Sequence, residues 1–448
     1  MRIRLLLPAA ALLAALVAPT SSPAAQIAPA RVLVRFDESA THTDRVRVAE
    51  ATGTGGAEPV AGSTSELRIK DGASVAQTLA ELRAQPGVAS ARPDYVLRKA
   101  RVPTFRPNDP GRGGPGDWSE LQWNFAGPFG VHAPRAWATM RSLGKDGGRG
   151  VTVAVVDSGV AYRDKGQYRR APDLYRGRFV KGWDFVDHDR YPFDLDSHGT
   201  HVSGTIAEHV NNKHALTGIA YGVHIMPVRV LHQNGDGDGA AFARAIRWAA
   251  KHGADVINMS VEFDSTLHAS DIPDVIDAMD YAHRKGAVMV GSAGNDGSGT
   301  LAYPARYSSV IAVGATTSDG CRASYTDFGS GLDVVAPGGG SDDPSDGSDW
   351  DATHCHPGEG GREIYQQTFR QHHPTDFHLF GFEGTSESAP HVSAIAALVI
   401  ASGRLGAHPT PEAVQSRIQD TARDIGEPGR DDHYGYGLAD AGAAVAGD

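Results

Sequence analysis

Short apolar runs alternate with amphipathic stretches along most of the chain. Val151 to Val156, Val256 to Met259, Ala287 to Val290 and Val310 to Val313 are apolar, rich in β-branched residues and bounded by Gly or Asp. Runs of that length predict strands buried on both faces. Helical spacing of apolar positions predicts helices over Val202 to Glu208, Ala240 to His252, Val275 to Lys285 and His391 to Ala401. Apolar strands alternating with helices predict an α/β fold whose mainly parallel sheet is covered on both faces, with chemistry at the carboxyl ends of the strands. Upstream, Val32 to Phe36 alternates like a half-buried strand, Val75 to Leu82 has helical spacing, and Val88 to Val96 reads as another strand. A small α+β module therefore precedes the large one. The Pro/Gly-rich stretch from Pro103 to Asp117 between them is a linker or an extended lead-in.

The N-terminus has a different pattern. Arg2 and Arg4 precede an almost unbroken Leu/Ala/Val run from Leu5 to Ala18, and small residues follow up to Ala24 and Ala25. That is the three-part plan of a secretory signal peptide, and the run is shorter than the roughly 20 residues needed to span a bilayer. An exported protein is expected, with no membrane attachment after signal removal. A Cys321–Cys355 bridge is permitted outside the cell, but the spacing does not establish it.

Charge narrows the function further. The 448 residues carry a net charge of −11. Residues 1–100 hold 12 basic and 9 acidic side chains, so the excess of acid lies in the larger part. An acidic body lacks the clustered Lys and Arg that nucleic acid requires, so no nucleic-acid partner is expected.

Four segments carry candidate chemistry. Asp157 ends a core strand in VAVVDSG; His198 opens a helix in DSHGTHVSGTIA; Ser386 sits at the mouth of an apolar helix in FEGTSESAPHVSAIAALV; and Asn295 ends a buried strand in VMVGSAGND. Taken singly, each has a bland alternative: a turn aspartate, a surface histidine, an N-cap serine, a turn-capping asparagine. A serine at a helix N-terminus does, however, sit beside free N–H groups and the positive end of the helix dipole, which stabilise developing negative charge.

In this order, and with VINMS, YPARYSSVIAVGA, VVAPG and the terminal YGYGLADAGAA also in place, the chain resembles the subtilisin-like serine protease family, peptidase S8, along nearly its whole length. The resemblance implies a three-layer α/β/α peptidase domain and a secreted endopeptidase acting on polypeptides. Ser386 would be the nucleophile, His198 the general base and acid, Asp157 the group that orients the imidazole, and Asn295 with the Ser386 N–H the oxyanion hole. Residues 1–25 would be a signal peptide, 26–103 an inhibitor-like propeptide, and 104–448 the peptidase domain, expected to be monomeric. The propeptide would template slow folding of the non-local sheet and block the cleft until self-cleavage between Arg98 and Arg106. No further domain is expected after YGYGLAD. His201, one turn beyond His198, would be a structural helix residue rather than half of a metal site.

The resemblance also implies structural Ca²⁺ held by oxygen ligands: a first site from Asp109, Asp173 and Asn212, and a second from Asp184, Asp187 and Asp189. In that second loop Tyr191 and Phe193 depart from the polar residues usual there. The substrate groove would be walled by Ser260, Val261 and Glu262 on one side and Gly235 and Gly237 on the other, with Ala293 and Gly294 beside the oxyanion hole. Glu262 and Phe263 replace residues that are usually glycine, and Glu262 with Asp236 and Asp238 motivates a preference for basic substrate residues, although these three acids could equally just face water. Glu387 stands where the family usually carries Met. A carboxylate there is expected to oppose the oxyanion, so that Glu387→Met would raise turnover, unless it is turned away or paired. Gly338 to Glu383 is an unusually long Gly/Asp/His-rich stretch, expected as a surface excursion near the site rather than core. Two rival readings stand beside the protease: a weakly active or inactive subtilisin-fold binding protein, supported by Glu387 and Glu262, and an esterase, which the missing G-x-S-x-G elbow around Ser386 disfavours.

Overall fold

The computed structural model describes residues 27–70, 72–96, 105–343 and 354–447. The signal-like segment and most of the stretch from Arg98 to Arg106 lie outside them. The chain forms two compact units, residues 1–101 and 102–448.

The small unit runs β1 (Ile27–Phe36), α1 (His42–Ala51), β2 (Gly55–Ala61), β3 (Thr64–Arg68), α2 (Val75–Arg83) and β4 (Val88–Tyr95). Its antiparallel sheet has the order β2-β3-β1-β4. Alternation along β1 sends Val32, Val34 and Phe36 to one face, where they bury with Leu67, Leu79 and Leu82. Helix α1, which the apolar pattern does not reveal, starts at Thr41 through a reciprocal capping box with Asp44.

The large unit opens with short helices α3 (Trp118–Leu121) and α4 (Trp123–Ala126), then α5 (Ala133–Ser142). The stretch before α3 is packed lead-in rather than free linker: the Trp118 indole donates to the Pro107 carbonyl and Asp109 is buried. Seven strands follow: β5 (Thr152–Asp157), β6 (Trp183–Asp184), β7 (His224–Arg229), β8 (Val256–Met259), β9 (Val288–Ser292), β10 (Val310–Thr316) and β11 (Val334–Pro337). They form one sheet of order β11-β10-β9-β8-β5-β7-β6 in which every pair is parallel. Interleaved with them are α6 (His198–Ala207), α7 (Gly239–Lys251) and α8 (Pro273–Arg284); α9 (Thr385–Ser402) and α10 (Pro411–Asp420) come after the sheet.

The period of two along β5 builds the layers. Val153 and Val155 join the core with α5, α6 and α9, whereas Ala154 and Val156 join the core with α7 and α8. The outcome is the three-layer α/β/α architecture. Strand order reverses between β7 and β8 around β5, which makes the carboxyl end of β5 the topological switch point, where open parallel sheets bind ligands.

The segment from Gly338 to Glu383 departs from expectation. It holds β12 (Gly340–Ser341), β13 (Gly360–Arg362) and a hairpin of β14 (Ile364–Phe369) and β15 (Phe377–Phe382). β14 is core rather than surface. Ile364, Gln366, Thr368 and Phe369 are buried, Gln366 donates to Thr205, and Thr368 donates to the Ser197 carbonyl, which anchors the hairpin to α6. These buried amides and hydroxyls are satisfied by hydrogen bonds, so no apolar run announces the strand. Cys321 and Cys355 form a disulfide at the base of this segment.

Candidate active site

Asp157 is the last residue of β5 and is fully buried. Next to it, Ser158 donates through its hydroxyl to Asp194 and accepts from the Gly199 N–H, which pins the strand end to the start of α6. This contact demands glycine: a Cβ at Gly199 would lie 2.1 Å from the Gly159 carbonyl oxygen. Asp194 organises the turn before α6 by accepting from the Ser197 and Thr200 amides and the Thr200 hydroxyl. Burial pushes its carboxyl up to about 6. Sequence reasoning passed over Asp194, although an aspartate four residues before a helix-opening histidine is a capping signal.

The result is a short contact between Asp157 and His198, whose Nδ1 lies 2.8 Å from Asp157 Oδ1. A carboxylate accepts, so Nδ1 carries the hydrogen, and Nε2 presents its lone pair when the ring is neutral. Burial works against a charged ring, but the Asp157 charge and hydrogen bond, then Glu387 and Asp196, more than reverse it and raise His198 to about 10.

Ser386 is the second residue of α9, where no preceding turn offers its N–H an acceptor. Gly384, with φ +152°, turns the chain into the helix. The Ser386 hydroxyl donates to the Ser260 carbonyl at 3.3 Å, while the Ser260 hydroxyl donates to the Ser386 carbonyl at 2.8 Å. Asn295 is held by its Oδ1, which accepts from the Thr385 N–H at 2.8 Å and the Thr385 hydroxyl at 3.0 Å. Its amide nitrogen therefore points the other way and donates to Glu262 Oε2 at 3.1 Å.

A groove of about 590 Å³ brings together His198, Ser386, Asn295, Ser260, Val261, Glu262, Gly235 and Gly237. Phe242 and Phe263 add aromatic surface to it, and Asp196, Asp236 and Asp238 add further acid. No Lys or Arg lines it among the described residues. Asp238 caps α7 by accepting from the Ala241 N–H, and Asp236 accepts from Asn234. Ala293 and Gly294 are not in the groove wall. They are buried beneath Asn295, with the Ala293 N–H given to the Val313 carbonyl and the Gly294 carbonyl accepting from the Thr385 hydroxyl.

Glu387 does not reach into the groove. It is buried, with Oε1 3.7 Å from Nδ1 of His201 and 3.9 Å from Nε2 of His198. Burial, with Asp157 and Glu383 adding and His198 opposing, pushes its carboxyl up to about 7.

The two expected calcium clusters differ. At the first, Asp109 accepts from the Asn211 and Asn212 amides, and Asp173 Oδ1 accepts from the Asn212 side chain at 2.6 Å. Glu208, absent from the sequence-based set, is a third buried carboxylate there. Burial and the neighbouring acids raise Asp173 to about 8 and Glu208 well above its usual range. Asp173 Oδ2 and Glu208 Oε2 are buried without a hydrogen-bond partner. No group of three or more His, Cys, Asp or Glu is drawn into a metal-holding set among the described residues. Even so, orphaned buried oxygens among three acids are the donor chemistry an oxygen-seeking cation requires.

At the second cluster the chain supplies its own cation. Arg229 Nη1 contacts Asp184 at 2.9 Å and Asp187 at 2.7 Å, while Asp189 accepts from the Tyr191 N–H. At the expected second calcium set a counter-charge thus comes from β7, an element the apolar pattern did not reveal.

Comparison with known proteins agrees with this geometry. The model of the subtilase family, Peptidase_S8, matches residues 148–437. A thermophilic serine proteinase from Bacillus sp. (strain AK1) is 32% identical over 414 residues, covering 92% of this chain and 86% of that protein. Thermitase from Thermoactinomyces vulgaris is 33% identical over 341 residues, covering 76% and 99% respectively. Among solved structures, a protease from Pseudoalteromonas arctica PAMC 21717 superimposes with a TM-score of 0.61 at 28% identity, covering 76% of this chain and 99% of that one.

Proposed function

The chain belongs to the subtilase family and is a subtilisin-like serine endopeptidase, and from that premise we propose that Asp157, His198 and Ser386 carry its chemistry. Ser386 attacks the scissile carbonyl, His198 Nε2 takes its proton and returns it to the leaving amine, and Asp157 holds the tautomer and stabilises the imidazolium. The observation that carries this is the 2.8 Å contact between buried Asp157 and His198 Nδ1 in the groove that also holds Ser386. The Ser386 hydroxyl must swing from the Ser260 carbonyl toward His198, a rotation about one side-chain bond. The oxyanion would be met by the Ser386 N–H and the Asn295 amide, whose orientation Thr385 fixes.

We further propose that the protein is secreted as a zymogen, with residues 1–25 as signal and 26–103 as an inhibitor-like propeptide that is removed by self-cleavage. Asp109, Asp173, Asn212 and Glu208 would hold one structural Ca²⁺, which supplies positive charge to the buried acids and takes no part in bond breaking. A fluorophosphonate probe is expected to label the processed protein once, with the added mass on the Ser386 peptide. Label on any other serine, or none, would refute the assignment.

Acidic lining with aromatic surface suits substrates that pair a basic residue with an apolar stem. Peptide libraries are expected to show Lys or Arg enriched near the cleaved bond. Glu262→Gln should reduce that preference by roughly fivefold, the worth of an ion pair of about 1 kcal/mol. A flat profile would remove the charge argument.

A further inference from the structure

The pair Glu387 and His201 is unexplained by the chemistry above. Both side chains are buried; Glu387 Oε1 and His201 Nδ1 face each other at 3.7 Å, and neither atom has a hydrogen-bond partner. Two groups facing each other in this way must share a proton or leave a buried charge unpaired.

The other edge of each ring says where the protons are. His201 Nε2 lies 2.9 Å from the Ile364 carbonyl of β14, and a carbonyl only accepts, so Nε2 carries hydrogen. The ring is stacked on Phe382 of β15, with centroids 4.3 Å apart. Burial foremost, then the neighbouring His198, lowers it to about 3, despite the pull of the Ile364 and Phe380 carbonyls on its protons. His201 is therefore neutral, with a bare Nδ1. A bare nitrogen facing a carboxyl group calls for the proton on the carboxyl.

We propose that Glu387 serves as a carboxylic acid, a positioning group whose proton lies between His201 Nδ1 and His198 Nε2 and keeps negative charge away from the oxyanion hole. The inference rests on the Asp157–His198–Ser386 assignment. The carboxyl is near the oxyanion hole: a Cβ built at Gly384 would be 2.8 Å from Glu387 Oε2 and 3.6 Å from the Ser386 N, one of the donors. As an acid, Glu387 adds no charge beside Asn295 beyond that of Glu262, and no longer helps to hold a proton on His198. As a carboxylate, it faces the developing oxyanion as a like charge.

Of the other titratable groups around Glu387, only a protonated His198 opposes this. Asp157 at the end of β5 and Glu383 before α9 raise its carboxyl, while a protonated His198 would lower it. Tyr325 is itself driven up by burial and by Glu387 and Glu383, so it stays a neutral phenol. His391, one turn along α9, is kept neutral by burial and gives its Nδ1 hydrogen to the Glu387 carbonyl.

Sign follows from the direction of the shift. Glu387 is an acid below about pH 7 and a carboxylate above it. The processed enzyme should therefore lose kcat/KM as pH rises through that region, on a neutral chromogenic peptide. In Glu387→Gln, which cannot ionise, the alkaline decline should vanish. At pH 8 its kcat/KM should exceed wild type by about tenfold, since one pH unit beyond a titration costs tenfold in the active form. Superimposable profiles, or a wild-type rate that rises through pH 7 only when Glu387 is present, would overturn the proposal.

A second measurement needs neither a folded Glu387 variant nor peptidase activity. Nitrogen-15 NMR of the full chain carrying Ser386→Ala should show His201 protonated on Nε2 alone from pH 5 to 7. A proton on Nδ1, in either a neutral or a charged ring, would overturn the proposal even if the triad proves correct. If the wild type proves inactive at every pH, the assignment of the triad fails while the His201 tautomer still decides the state of Glu387.

Discussion

Ser386→Ala is expected to leave the full-length chain uncut while the wild type shortens to its mature form. On peptide substrates, turnover should fall by on the order of 10⁴-fold or more, the usual loss when a triad member is removed. The physical reason is that alanine removes the only atom that can form the acyl bond, while the oxyanion donors and the groove stay in place. The fold should not suffer, because the Ser386 hydroxyl makes a single 3.3 Å hydrogen bond to Ser260. Its thermal transition should stay within about 1 kcal/mol of wild type. His198→Ala should lose as much, and the double variant no more than either single one, since the two groups act as a unit. The check is a gel of full-length wild type and both variants with calcium present, followed by kinetics after the leading segment of the uncut variants has been removed by an added, separable protease. If the serine variant also shortens to the same length, cleavage is not its own, and the zymogen proposal falls. If the wild type stays uncut and inactive, a subtilisin fold that acts by binding gains the ground.

The apolar pattern revealed the sheet strands whose burial needs no polar partner. β5, β8, β9 and β10 are mostly Val, Ile, Ala and Met, with buried Asn258 of β8 paired to Ser260 and Ser393, and they emerge close to where the pattern puts them. β7 escaped because Pro227 interrupts it, and β11 because only three apolar residues precede Pro337, which ends it; proline ordinarily argues against a buried strand. β14 escaped because its burial rests on hydrogen-bonded Gln366, Gln367 and Thr368. The same distinction holds at the site. Asp157, His198, Asn295 and Ser386 stand in local motifs at element ends and could be named. Glu208 and Arg229 act through partners far away in sequence, so nothing nearby in the chain marks them, whereas Asp194 holds Ser197 and Thr200 close by and was readable. Glu387 was visible as a departure, but its direction was not: whether it faces the groove or His201 depends on how α9 packs on α6. That packing changes its expected role from an obstacle to a proton-bearing group.

Removing calcium is the second large effect expected, and its dependence on pH tests the acid cluster directly. With Asp109, Asp173 and Glu208 buried together, the calcium-free fold must either hold protons on these groups or bury unpaired charge. Their folded-state values are raised, Asp173 to about 8, whereas in the unfolded chain they ionise in the ordinary carboxylate range. Between about pH 4 and 8 the calcium-free fold thus binds more protons than the unfolded chain, so its stability falls as pH rises through that window. Bound calcium replaces those protons and adds about 4 kcal/mol when present at a thousandfold excess over its dissociation constant. The Ser386→Ala chain, which cannot digest itself, should then lose on the order of 8 °C in Tm when treated with a chelator at pH 8, and much less at pH 5. Asp173→Asn should lower the calcium-bound Tm, shrink the chelator effect and flatten the calcium-free pH dependence together. Equal Tm with and without chelator at pH 8 would mean the cluster binds no cation. A chelator effect that survives Asp173→Asn unchanged would move the site elsewhere.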